Sequence, residues 1–348
     1  MERGRRHLLV CAGRPGCVLR RTRGRRCDRA LRALGGRGPR HRAGDRVRRR
    51  PLLEEANAAS GNRVVRAVVG VALAALAAVS CSGSAATRTP LPRFDHVLVV
   101  VLENKSQASV LGNREAPNFN NFAKHYAVLS RYGGVAHPSL PNYLALVSGS
   151  THGITSDCTT CIVSARNLGD TLERAHLSWK TYAEGLPRPG FTGGSAGPYA
   201  KKHVPFLYFR DIVSKPARLR RVVPLRQFAR DLAASALPSF SLIVPNLCHD
   251  MHDCSVEAGD TWLGGFLSPL LRNRKLSHSV VFVVTDEPAT EQASTAVPAL
   301  ALGPTVVPGS RYSSRMSHYG LLRTIEDAWG LPRLGHSAQV RPITGIWR

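Results

Sequence analysis

Lysine is absent from the first 50 residues of this 348-residue chain, although the same stretch holds 18 arginines and only three acids, Glu2, Asp28 and Asp45. It also lacks apolar periodicity, which excludes it from a packed core. Residues 1–62 are therefore set apart as an arginine-rich, low-complexity segment. Such a segment is either a disordered basic arm for nucleic acid or anionic lipid, or the product of a translation start placed too early in GC-rich DNA. The lack of lysine favours the second, so no nucleic-acid partner is expected. The formal charge of +25 is then no property of the folded part. There is no internal repeat, and no apolar run long enough for a comfortable membrane span.

The longest candidate run, "RVVRAVVGVALAALAAVSC" (63–81), places two arginines before about a dozen apolar residues and ends in small residues and Cys81. That is the pattern of a signal peptide. "AAVSC" is similar to a lipobox, which makes Cys81 a candidate for lipidation. Either outcome places the mature protein outside the cytoplasm, secreted or lipid-anchored, with the anchor as its one tie to a membrane. Residues 82–93 read as a short tether, and residues 94–348 as one catalytic-sized domain.

Few cysteines remain beyond Cys81: Cys158 and Cys161 in "CTTC", Cys248 and Cys254 in "CHDMHDC". An even number in an exported chain suggests two disulfides, and local pairing, 158–161 and 248–254, is the simplest. A four-cysteine zinc site is the alternative. Residues 201–230 carry nine basic residues against one acid, Asp211, either a stripe for anionic substrates or a solvated face.

The rest alternates between buried-strand and helix patterns. "HVLVVVLEN" (96–104), "SFSLIVPN" (239–246) and "HSVVFVVTDE" (278–287) are near-continuous apolar runs, as expected of strands covered on both faces. Helical patterns lie between them, which predicts an α/β fold with a mostly parallel sheet. The three runs end in Glu103-Asn104, Asn246 and Asp286-Glu287. Ligands in such sheets bind beyond the carboxyl ends of the strands, so these residues are predicted to share one rim. Strand-end acids can be ordinary caps. An oxygen-rich cluster also suits a hard divalent cation, whose identity the residues leave open.

Three further features carry chemistry. "PNLCHDMHDC" packs His249, Asp250, His252 and Asp253 between two cysteines, and histidine suits proton transfer to a leaving oxygen. His318 precedes the last helix and is either a cap or a site member. In "GGVAHPSLPNYLALVSGS" (133–150), Pro138 keeps His137 out of the helical region and sets Ser139 at a helix start. A serine there is either an N-cap or a nucleophile facing the unpaired N–H groups that hold a phosphate.

In this order and spacing, "HVLVVVLENKSQASVLGN", "AHPSLPNYLALVSG", "IVPNLCHDMHDCSVEAGDTWL", "VVTDE" and "SHYGLLRTIEDAWGL" resemble the bacterial phosphoesterase family of secreted acid phosphatases and phospholipases C, within the alkaline-phosphatase-like superfamily. "YAKKHVPFLYF" (199–209) resembles the acid-phosphatase members. The resemblance implies a three-layer α/β/α sandwich and a small phosphorylated substrate. It implies Ser139 as nucleophile and Glu103, Asn104, Asp286 and Glu287 as metal-binding positions with Ser139 completing the shell. It also implies His137, Asn142, Asp250 and His252 as catalytic polar positions, with Asn246 and His318 as additional candidates. "VTDEPATEQ" departs from the family pattern by lacking a tryptophan and placing Pro288 after Glu287. The expected activity is phosphate monoester hydrolysis. Alternatives are a phospholipase C-type diesterase and a non-catalytic lipoprotein that binds phosphorylated ligands.

Overall fold

In the computed structural model the described residues are 91–289 and 296–348. The arginine-rich segment, the signal peptide, Cys81 and most of the tether lie outside them. The sheet strands are β1 (His96–Leu102), β2 (Ala127–Leu129), β3 (Trp179–Ala183), β4 (Val222–Pro224), β5 (Phe240–Val244), β6 (Ser279–Thr285), β7 (Ala299–Leu302) and β8 (Arg311–Tyr312). They form one eight-stranded sheet in the order β8-β2-β7-β6-β1-β5-β3-β4. The sheet is parallel except where β7 pairs antiparallel with β2 and β6.

The longer helices are α1 (Pro117–His125), α2 (Ser139–Ser148), α3 (Leu168–Arg174), α4 (Arg226–Ala233), α5 (Val256–Leu271) and α6 (His318–Trp329). Strand β1 shows how they layer. Its β-branched run is buried on both faces because alternate side chains point to opposite sides. Val97, Val99 and Val101 pack with Leu140, Leu144, Leu172 and Leu321 of α2, α3 and α6. Leu98, Val100 and Leu102 pack with Phe119, Phe228, Leu263 and Leu267 of α1, α4 and α5. The expected α/β/α sandwich is the observed one.

Helix α2 is buried around its whole circumference, all ten of its residues included, which is why it is mostly apolar. It stops at Gly149, whose φ is 72°. A side chain there would also collide with the backbone oxygen of Leu334, so glycine is required both for the left-handed cap and for close approach. Among the described residues no helix is long and apolar enough to cross a membrane.

Both disulfides form as the local pairing predicts, Cys158–Cys161 and Cys248–Cys254, which excludes the four-cysteine zinc site. The basic stripe at 201–230 is not one surface. Arg218 and Arg221 are neutralised by Asp170, Glu173 and Asp211, and Lys201 donates to the carbonyl of Thr159.

Candidate active site

Strand β1 lies between β5 and β6, so the loops leaving these three strands meet at one rim. Backbone bonds fix the meeting. Glu103 N donates to Asp250 O at 2.8 Å, and Asp286 N to Leu102 O at 3.0 Å. Asn104 takes the left-handed conformation, φ 50°, which asparagine tolerates, and its N–H donates to Asp286 Oδ1 at 3.1 Å.

Ser139 is the first residue of α2, after Pro138, and makes no side-chain cap bond. Its hydroxyl donates instead to Glu103 Oε2 at 3.0 Å. The capping role falls to Asp157, whose Oδ1 accepts from Leu140 N at 2.9 Å. Of the two readings of Ser139, the N-cap is therefore the wrong one.

Glu103 is fully buried. Its other oxygen accepts from Tyr143 OH and faces His203 Nε2 at 3.3 Å. His203 Nδ1 reaches Asp250 Oδ2 at 3.2 Å, so this imidazole bridges two buried carboxylates. Burial opposes charge on His203, but Glu103 and Asp250 outweigh it and raise its pKa to about 9. Burial works against ionisation of Glu103 too, yet His203, Tyr143 and Lys202 bring its pKa down to about 2. Asp286 and Glu287 respond oppositely. Burial and then the Glu103 charge push Asp286 well above the carboxylate range and Glu287 to about 8. Three acids crowded in a buried site do not all ionise readily.

Glu103, His203 and Asp250 offer donor atoms that lie within 4.8 Å of one another. Asp286 Oδ2 is buried without a hydrogen-bond partner, and Asp250 Oδ2 and His203 Nε2 make only ion-pair contacts, with no well-aligned hydrogen bond. Buried oxygens so poorly bonded beside an imidazole are what a first-row divalent cation would satisfy, so these residues fit a metal. Of the metal set implied by resemblance, Glu103 is in this cluster, Ser139 bonds to it and Asp286 adjoins it. Glu287 is turned towards His137 Nδ1 at 2.9 Å and Asn142 Nδ2 at 3.1 Å. Pro288 leaves Glu287 buried in that place.

The other candidates divide into groups that face the cluster and groups that hold it. Asn142 accepts from the N–H groups of Val135 and Ala136 and donates to Ala136 O, so it braces the turn carrying His137. His252 is held by Lys202 Nζ at 3.2 Å on Nε2 and by Asp253 at 2.6 Å on Nδ1, which puts the proton on Nδ1. Asn246 accepts from the N–H groups of Cys248 and His249 and shapes the disulfide loop without joining the cluster. His318 is buried at the start of α6. Its Nε2 donates to Asp286 O at 2.6 Å, and its Nδ1 accepts from Tyr132 OH at 2.9 Å. Burial lowers its pKa to about 4, so it is a neutral brace.

Sequence reasoning missed His203, Lys202, Tyr143 and Asp157. Lys202 donates to Asp157 Oδ2 at 3.0 Å, which links the start of α2 to the His252 loop. The available signal was "AKKHVPF", where two lysines and a histidine enter an otherwise apolar run.

The model of the Phosphoesterase family matches residues 113–332. A phosphatidylinositol-3-phosphatase of Mycobacterium tuberculosis is 40% identical over 82% of this chain and 95% of its own length. An acid phosphatase of Aspergillus fumigatus is 30% identical over 70% of this chain, which spans 56% of that longer protein. Among solved structures, a protein of the alkaline phosphatase superfamily from Vibrio parahaemolyticus shares the fold. Its TM-score is 0.52 at 12% identity, covering 74% of this chain and 72% of that one.

Proposed function

The chain belongs to the Phosphoesterase family, and on that premise we propose that it hydrolyses phosphate monoesters through Ser139. The observation that carries this reading is the buried Ser139–Glu103 hydrogen bond at the first turn of a helix, beside an acid and imidazole cluster. A capping serine would instead accept from the backbone N–H groups of its own first turn.

Glu103 orients the Ser139 hydroxyl and takes its proton as the hydroxyl attacks, and that proton returns to the serine oxygen when water cleaves the intermediate. Attack in line forms an Oγ–phosphorus bond and breaks the bond from phosphorus to the ester oxygen. The leaving alkoxide collects a proton at this rim, where His137, paired with Glu287, is placed to supply one. Water then cleaves the phosphoserine, releasing inorganic phosphate and restoring the hydroxyl. The helix dipole and Lys202 stabilise charge on the phosphoryl oxygens. A divalent cation held by Glu103, His203 and Asp250 would supply Lewis-acid polarisation of the phosphoryl group.

The named activities of the relatives, on phosphatidylinositol 3-phosphate and in acid, make phosphorylated lipids and small phosphate esters the substrate classes to try first. We place the protein outside the cytoplasm. Two disulfides and the basic-apolar-cysteine segment 63–81 support that reading. The test is to quench the reaction with p-nitrophenyl phosphate in acid and map the phosphorylated peptide. Phosphate on the peptide containing Ser139 is expected. Turnover with phosphate on another residue would overturn the assignment.

A further inference from the structure

Beside the active site, on the same rim, lies a cavity of about 460 Å³. Three arginines from separate segments line it: Arg131 after β2, Arg315 after β8, and Arg341 in the C-terminal tail. No acid lines it. Among the described residues none of these guanidinium groups has a hydrogen-bond or ion-pair partner. Arg218, Arg221, Arg323 and Arg333 meet carboxylates, and the three around this cavity do not. Three unpaired like charges around one cavity repel each other, and an anion relieves that cost.

The wall of the cavity adjoins the catalytic centre. It includes Tyr132, which bonds His318, and Gly134. A Cβ at Gly134 would fall 2.7 Å from Asp286 O and 3.2 Å from Asn142 Oδ1, so only glycine lets the cavity floor sit directly on the site. Gly134 directly follows a two-residue strand, Tyr132–Gly133, and lies five residues before Ser139.

We propose that this cavity is a second anion subsite, in which Arg131, Arg315 and Arg341 hold a further phosphate of the same substrate molecule while Ser139 attacks the first. The inference rests on the proposed phosphomonoesterase reading and names its substrate class: esters with two or more phosphates. Guanidinium suits this role because its planar fork binds phosphate in a bidentate manner. All three side chains are exposed, so the attraction is screened by salt. Replacing them removes no folded-state contact.

The test uses the full chain carrying Ser139→Ala, so that ligands persist. Calorimetric titration compares myo-inositol 1,3-bisphosphate with p-nitrophenyl phosphate, in that protein and in one also carrying Arg131→Ala, Arg315→Ala and Arg341→Ala. Roughly tenfold or tighter binding of the bisphosphate is expected at low salt, with most of that gain lost in the arginine variant. Binding of the monoester should change far less. Equal affinities for the two ligands, or a gain that survives loss of the arginines, would overturn the subsite. A further arm uses vesicles of phosphatidylserine and phosphatidylcholine. If the arginines govern binding to these vesicles but not to the soluble bisphosphate, they contact a membrane surface and the proposal fails. Turnover of p-nitrophenyl phosphate by the chain with Ser139 intact tests the catalytic reading separately, because the binding comparison needs no chemistry.

Discussion

The hydroxyl of Ser139 donates to Glu103 Oε2 at 3.0 Å, joining the start of α2 to the end of β1. Glu103 is therefore expected to aim the nucleophile as well as hold charge. Glu103→Gln keeps the shape but removes the charge, and its amide nitrogen cannot accept from the hydroxyl. Turnover of p-nitrophenyl phosphate should fall at least about a hundredfold, the scale on which single electrostatic contacts act in catalysis. The variant should still fold, by circular dichroism. Full activity would detach Glu103 from the reaction.

His203 lies between Glu103 and Asp250. Replacing it by Asn leaves two buried carboxylates facing each other without their cation. Breaking a buried pair in this way costs about 3–5 kcal/mol, so the metal-free variant should melt well below wild type. As a member of the proposed metal trio, His203 should also govern metal content. His203→Asn, dialysed against divalent metal and assayed by elemental analysis, is expected to retain far less than wild type. Unchanged metal content with unchanged melting would place the cation elsewhere.

The acidity of the medium should act on stability through two buried groups of α6. Burial raises the pKa of Glu326 from 4.5 to about 7, although Ser337 and Leu334 N donate to it. Its stabilising contribution is complete below pH 4.5 and is lost as pH rises through about 7. His318, lowered from 6.5 to about 4, behaves oppositely: its contribution is complete above pH 6.5 and is lost as pH falls towards 4. Each shift corresponds to about 3 kcal/mol, and the two slopes largely cancel between pH 4.5 and 6.5. Glu326→Gln removes one slope. The unfolding free energy of the variant relative to wild type should therefore climb by up to about 3 kcal/mol between pH 4.5 and 7.5. A difference independent of pH would show that Glu326 ionises normally in the fold.

The Cys248–Cys254 disulfide closes the loop that carries Asp250 and His252. Closing so short a loop contributes about 2 kcal/mol in the chain-entropy picture. The double variant Cys248→Ser, Cys254→Ser should lose stability on that scale. It should lose activity by a larger factor, because the loop positions groups at the reacting centre. Equal activity at a temperature where both proteins are folded would mean that the loop holds its shape through Asn246 alone.

The core of this fold was legible wherever one strand carried its own signal. The runs ending at Glu103, Asn246 and Asp286 are apolar on both faces, and such runs form the centre of a covered parallel sheet. Their polar ends therefore marked the rim. Ser139 was legible as a helix-start residue, but its bond to Glu103, 36 residues earlier, was not. His203 was not legible. It sits in a short helical turn with no periodicity, and its partners, Glu103 and Asp250, come from distant strands. The basic stripe misled for a related reason: charge density along the chain does not reveal that Asp170 and Glu173 fold back to neutralise Arg218 and Arg221, leaving Lys202 to reach the site. The three arginines of the second cavity are spread over some 210 residues, and only the fold gathers them.

The most direct measurement is kcat for p-nitrophenyl phosphate in wild type and in Ser139→Ala, over pH 4 to 8, with divalent metal and with chelator. Wild type is expected to turn over and to lose activity with chelator. Ser139→Ala is expected to lose about a thousandfold or more at every pH, with its melting temperature near that of wild type. A folded Ser139→Ala protein that hydrolyses the ester at the wild-type rate would contradict the central assignment.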